Sequence, residues 1–111
     1  MKQILLLFAL FSITFFNLNA QIIWQNTIGG SAFDYMEDVI STSDGGFLLV
    51  GSSESDISGD KTENSKGNND FWIVKTNNLG VVQWDKTFGG SGQDGAISAI
   101  ETSDNGFVIT G

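Results

Sequence analysis

Apolar residues along this chain come in short runs, never at the spacing that would draw one face of a helix. "IIWQNTI" (Ile22–Ile28), "MEDVIST" (Met36–Thr42), "FLLVGSS" (Phe47–Ser53), "FWIVKT" (Phe71–Thr76) and "VVQWDKTF" (Val81–Phe88) are rich in β-branched and aromatic side chains. Glycine, asparagine, aspartate and serine bound them, which is the signature of strands. Phe47–Val50 and Phe71–Val74 are apolar on consecutive residues, so those strands are predicted to be covered on both faces. Asp44-Gly45-Gly46 separates two of the runs and predicts a tight hairpin, because glycine tolerates the positive φ such turns demand. Asn77-Asn78-Leu79-Gly80 predicts a second one.

The pattern then repeats itself. Sliding the chain by 60 residues lays Ile22–Gly51 on Val82–Gly111 without a gap, and thirteen of the thirty pairs are identical. Trp24/Trp84, Gly29/Gly89, Gly30/Gly90, Ser31/Ser91, Asp34/Asp94, Asp44/Asp104, Phe47/Phe107 and Gly51/Gly111 are among them. Such self-similarity marks a repeat array. Four short antiparallel strands per unit, buried on both faces, describe one blade of a β-propeller. A blade commonly takes about 40–45 residues, and the excess sits in the polar stretch Glu54–Asp70.

W-x-x-x-x-G-G-S-x-x-D, followed by D-x-G-F and an apolar strand ending in glycine, resembles the β-propeller repeat of secreted bacterial proteins. The resemblance covers Ile22–Gly51 and Val82–Gly111, and "NNDFWIVKTNNLG" between them is similar to the blade-closing hairpin of such arrays. It implies an all-β fold of antiparallel four-stranded blades. Larger relatives often end in a sorting domain of the type IX secretion system of gliding Gram-negative bacteria. On this phase one blade is complete, about residues 36–88, Ile22–Ile28 is an orphan outer strand, and Ala96–Gly111 is half a blade. Closed propellers use about 4–8 blades, so the copy number predicts the front part, or fragment, of a longer protein. The alternative is a short protein whose copies assemble into a ring.

"MKQILLLFALFSITFFNLNA" has one basic residue, Lys2, then an apolar core from Ile4 to Phe16 and a short polar stretch ending in Ala20. That layout predicts a cleaved secretory signal peptide over residues 1–20, with export to the medium or cell surface. The run is short for a membrane span, which needs about 20 residues. No span is predicted after cleavage. Residues 21–111 form the repeat region. They hold thirteen acids against four lysines, a balance that repels phosphate backbones and argues against nucleic acid as a partner. The chain has no cysteine and no histidine, which leaves no disulfide, no thiolate or imidazole zinc site and no His-based triad.

Candidate chemistry is sparse. "GSGQDG" (Gly90–Gly95) satisfies G-x-G-x-x-G, but a dinucleotide site needs that turn to open a helix, and the first copy lacks two of the glycines. Acids that recur in register, Asp34/Asp94 and Asp44/Asp104, predict turn-capping carboxylates. The sharper alternative is calcium, which takes several oxygen ligands. Asp34, Glu37 and Asp38 cluster for it in one copy, and Asp56 and Asp60 offer carboxylates in the long loop, as do Glu63 and Asp70. Composition predicts a solvated loop, and a long loop on a rigid scaffold is also where binding resides. Trp24, Trp72 and Trp84 read as packing residues, the first and last between successive blades.

The functional expectation is a non-catalytic secreted or cell-surface protein that binds or adheres, with a glycan or protein ligand held by blade loops and no catalytic residues. The alternatives are part of a secreted carbohydrate-active enzyme, a glycoside hydrolase with two loop carboxylates, and a ligand-free scaffold. A catalytic acid should break the repeat and a structural acid should obey it.

Overall fold

The computed structural model describes residues 23–111. The signal-peptide expectation and the first residue of the Ile22–Ile28 run lie outside them. The described residues are all-β and contain no helix, so none is present that could cross a membrane. β1 (Asp34–Ser41), β2 (Phe47–Ser53), β3 (Asp70–Thr76) and β4 (Val82–Phe88) form an antiparallel meander in the order β1-β2-β3-β4. β5 (Ser98–Glu101) and β6 (Phe107–Thr110) form a separate antiparallel hairpin.

The tight turns behave as their residues require. Gly45 donates to the Thr42 carbonyl at 2.9 Å, Asn105 to that of Thr102 at 3.0 Å and Gly80 to that of Asn77 at 3.1 Å. The donor in each case has positive φ: 83° at Gly45, 63° at Asn105 and 73° at Gly80. Glycine and asparagine are the residues that enter this region at least cost. The glycine that ends each copy has a steric role. A Cβ on Gly51 would overlap the Tyr35 carbonyl oxygen, and one on Gly111 would overlap the carbonyl oxygen of Gly95. The first of these close approaches sits beside the irregularity in β1 between Met36 and Asp38. Such a bulge bends the strand toward its partner.

Side chains opposite one another in a ladder share a face. Ile40 opposes Leu48 and Val50 opposes Ile73, and these four point toward the hairpin. There they meet Ala96, Ala99 and Ile109, which with Phe71 and Phe107 complete one core between the two sheets. Leu48 is fully buried, worth about 2 kcal/mol of transfer energy by area. Val39, Leu49 and Val74 form the next row of partners and point the other way. Against that back face lies residues 23–28, which pair in no ladder. Trp24 of this segment packs on Phe47, with centroids 5.9 Å apart at 50°. Trp84 packs on Phe107 at 6.3 Å and 49°. Both partners are shifted by the same 60 residues, so the two tryptophans do the same job, with Trp84 bridging the sheets.

Candidate functional site

The two copies of the G-G-S phrase are not free loops. Residues 54–70 run between them and tie both down. On one side the Ser55 and Ser58 hydroxyls accept from Ala32 N and Ser31 N, each at 2.9 Å. Asp60 N donates to the Gly29 carbonyl at 2.9 Å, and Gly29 N donates to the Asp60 carboxylate at 3.1 Å. On the other side Asn68 N donates to the Gly92 carbonyl at 3.2 Å and Asp94 N to that of Asn69 at 2.6 Å. A loop expected to be solvated is thus anchored at both ends.

Its middle is held by a buried lysine. Lys61 is 1 % exposed, and its ammonium donates to the Glu63 carbonyl at 2.7 Å and the Thr87 hydroxyl at 2.8 Å. Burial lowers its pKa, against the opposing pull of Asp85 and Asp70. Asp85 is also buried and accepts from Thr62 N, the Thr62 hydroxyl and the Trp72 indole at 3.0, 2.6 and 2.9 Å. Burial alone would raise its pKa; these donors outweigh it and the net shift is downward. Asp70 follows the same logic, with Ser65, Lys66 N and Gly67 N all donating to one oxygen. Asp85 breaks the 60-residue pattern, with Gln25 at the equivalent position, and Asp70 lies between the two aligned stretches. Their donors identify them as ties that close the loop onto β3 and β4.

The acids singled out for calcium are dispersed. Asp34 accepts from Gly30 N at 2.7 Å and from the Ser53 and Ser55 hydroxyls at 2.5 and 3.1 Å. Asp94 accepts from Gly90 N at 2.8 Å, the same contact 60 residues on. Glu37 is exposed at the bulge of β1. Asp38 turns instead toward the hairpin and accepts from the Ser98 hydroxyl and Ala99 N, both at 3.1 Å. Asp56 accepts from Ser65 N, and Asp60 serves Gly29 as above. Among the described residues no three acidic side chains converge where a metal ion could sit. Glu63 pairs with Lys86 at 2.8 Å and accepts from Thr87 N, which lowers its pKa. The Gly90–Gly95 motif leads into β5 with no helix after it, so the context a dinucleotide needs is missing.

The turn acids differ in one respect. Asp44 and Asp104 each accept from a threonine hydroxyl two residues back at 2.5 Å and from a glycine amide two residues on. Both carboxyls are held below the usual range, first by the threonine. Asp44 alone also meets a lysine, Lys75, at 2.9 Å.

One surface feature escaped the sequence reading. Phe33 and Tyr35 stack with centroids 6.3 Å apart and 27° between planes, and remain 68 % and 48 % exposed. Glu54 N donates to the Phe33 carbonyl, so the pair borders the long loop, where Ile57 is also exposed. The second copy has Gln93 and Gly95 at these positions. That mismatch was the available signal: two aromatics where the repeat asks for none. No family model, curated protein or solved structure matches this chain.

Proposed function

We propose that this chain is a secreted or cell-surface repeat scaffold of the β-propeller type that binds a ligand, glycan or protein, through Phe33, Tyr35 and the adjoining edge of the 54–60 loop. The observation that carries the reading is the exposed aromatic pair Phe33 and Tyr35, where the second copy has Gln93 and Gly95. Exposed side-by-side aromatic rings offer apolar faces to a sugar ring or an apolar side chain, and the nearby Glu54 and Asp56 supply acceptors for hydroxyl or amide groups. The propeller assignment is supported by the repeated Trp–Phe packing and the layered faces. Export is supported by the N-terminal apolar pattern.

A glycan array and a cell-surface binding assay on the exported protein test this directly. Phe33→Ala with Tyr35→Ala should abolish binding while the far-UV spectrum stays unchanged. Binding that survives the double substitution would dismiss the aromatic site.

A further inference from the structure

Phe33 and Tyr35 stand at the rim of a sheet face that the hairpin already covers. Tyr35 opposes Ser52, and Ser52 alternates along β2 with Val50 and Leu48, which face the hairpin. The hairpin reaches as far as Ser52: a Cβ on Gly95 would lie 4.0 Å from the Ser52 hydroxyl oxygen. The two rings begin where that cover stops. Their exposure therefore belongs to the rim between two sheets that are both present, and not to the back of the first sheet.

This rim is acidic and has no cation of its own. Glu54 stands opposite Phe33, one step beyond the Asp34–Ser53 pair, with its amide on the Phe33 carbonyl at 2.9 Å. Side chains opposed in this way share a face, so exposed Glu54 lies on the side of the two rings. Asp56 follows it in the loop, and Glu37 follows Tyr35 at the bulge of β1; both are exposed. All four lysines of the described residues are engaged elsewhere: Lys61 and Lys66 on Thr87, Lys75 on Asp44 and Lys86 on Glu63. The chain has no arginine.

Rings and carboxylate together select among ligands. The face of an aromatic ring carries negative charge and attracts a cation. A neutral sugar would use the rings for apolar contact and gain only a hydrogen bond from Glu54. A guanidinium or ammonium gains the ring faces, the hydrogen bond and the charge. We propose that the rim binds a lysine- or arginine-bearing segment of a protein partner. The cationic group lies over Phe33 and Tyr35 and donates to the Glu54 carboxylate, with Asp56 and Glu37 adding negative potential around it. This names the ligand class of the aromatic site proposed above and rests on that reading.

Fluorescence anisotropy of a labelled glycine–arginine repeat peptide, titrated with the exported protein, tests the proposal. A lysine version and an uncharged citrulline version run alongside. The two cationic peptides should bind saturably and the citrulline peptide should not. All the substituted side chains are exposed, so the variants should keep the fold. Phe33→Leu with Tyr35→Leu preserves every charge and should weaken binding about fivefold or more. Tyr35→Trp should tighten it about twofold, since tryptophan holds cations best. Glu54→Gln should weaken it about threefold. Asp104→Asn, the same change of charge in the turn at the opposite end of the hairpin, should leave it unaltered.

Binding that survives the leucine pair overturns the proposal, because the acidic chain as a whole would then be the attractant. So does binding weakened as much by Asp104→Asn as by Glu54→Gln, and so does a failure of both cationic peptides to bind. The glycan array separates these failures from that of the aromatic site. An oligosaccharide held through Phe33 and Tyr35 leaves the site standing and removes only the cationic partner. If no ligand of either kind is lost with the aromatic pair, both readings fall.

Discussion

Leu48 and Val108 hold the same place in the two copies of the repeat, in strands of the same direction after the same turn. One is fully buried and the other is 49 % exposed. Local structure is equal, since both follow a Thr-x-Asp-x-Gly turn with matching hydrogen bonds. The difference lies in what covers them. A strand of this kind takes its shape from turn chemistry and its stability from the sheet laid over it, so stability should fall unevenly along a chain whose sequence is nearly periodic.

Truncation should expose that inequality most clearly. Leu48→Ala removes buried methyl groups from the core between the sheets and should cost about 2–5 kcal/mol. Val108→Ala should cost less than about 0.5 kcal/mol in dilute protein. Urea unfolding of both variants at low concentration measures the gap. Equal losses would mean the hairpin face is covered even in the single chain.

A second comparison lies within the long loop, between the charge and the packing of Lys61. Lys61→Ala strands the Thr87 hydroxyl and opens a void, and should cost about 2–3 kcal/mol. Lys61→Met loses the same hydrogen bonds but keeps the volume, so it should cost about 1 kcal/mol less than the alanine variant. Protease cutting within 54–69, expected to be fast in the alanine variant and slow in the methionine one, reads the same contrast. Similar behaviour of the two would show that the ammonium, not the packing, holds the loop.

This is also where the sequence was least legible. Most strand positions and the turns at Asp44–Gly46 and Asn77–Gly80 were readable because each depends on neighbours a few residues away, and Trp84 was readable because Trp24 repeats it 60 residues earlier. Phe47–Ser53 forms β2 with the same bounds, and Trp84 meets Phe107 across the sheets. Lys61 was unreadable because its partner Thr87 is 26 residues distant and polar composition argues for solvation. The candidate site was half legible. The repeat identified Asp34 as structural by its recurrence, yet nobody reading only the recurring positions would look at Phe33 and Tyr35, which matter because they do not recur. Residues 23–28, expected as an outer strand, pair in no ladder and lie instead along the back of the first sheet, where Trp24 meets Phe47.

Acid should act on the loop through Asp70 and Asp85. Their folded pKa values lie below the unfolded ones, near 3.9, so their stabilisation is complete above about pH 4 and is lost as pH falls through the folded values. Lys61 has the opposite slope. Its folded pKa is depressed, so it disfavours folding at neutral pH, and that penalty is relieved as pH rises toward the unfolded value of about 10.4. Asp85→Asn should flatten the acid limb of a stability-against-pH curve, and Lys61→Met should flatten the alkaline one. An unchanged acid limb in Asp85→Asn would place the acid sensitivity elsewhere. Among the turn acids, Asp44→Asn should lower Tm more than Asp104→Asn, because only Asp44 leaves a mostly buried lysine, Lys75, without its carboxylate.

The finest comparison is between the turns themselves. Gly45 and Asn105 occupy equivalent left-handed positions with φ of 83° and 63°. A Cβ in this region crowds the following carbonyl, and asparagine tolerates it better than other non-glycine residues. A Cβ at Gly45 meets nothing within 4 Å, so the conformation alone sets the cost there. Gly45→Asn should therefore destabilise, and Asn105→Gly stabilise, each on the order of 0.5 kcal/mol. Because the turns lie in separate hairpins with similar hydrogen bonds, the double exchange should return the parent's stability. A double variant well below the parent would show that the turns are coupled, and Ser43 marks the route. Its hydroxyl donates to Glu101 at 2.8 Å and lies 3.1 Å from the Asn105 side-chain oxygen, which joins the first turn to the second. In that event the periodic turns would be one structure across two sheets, and the asymmetry between Leu48 and Val108 would begin at the turns rather than in the core.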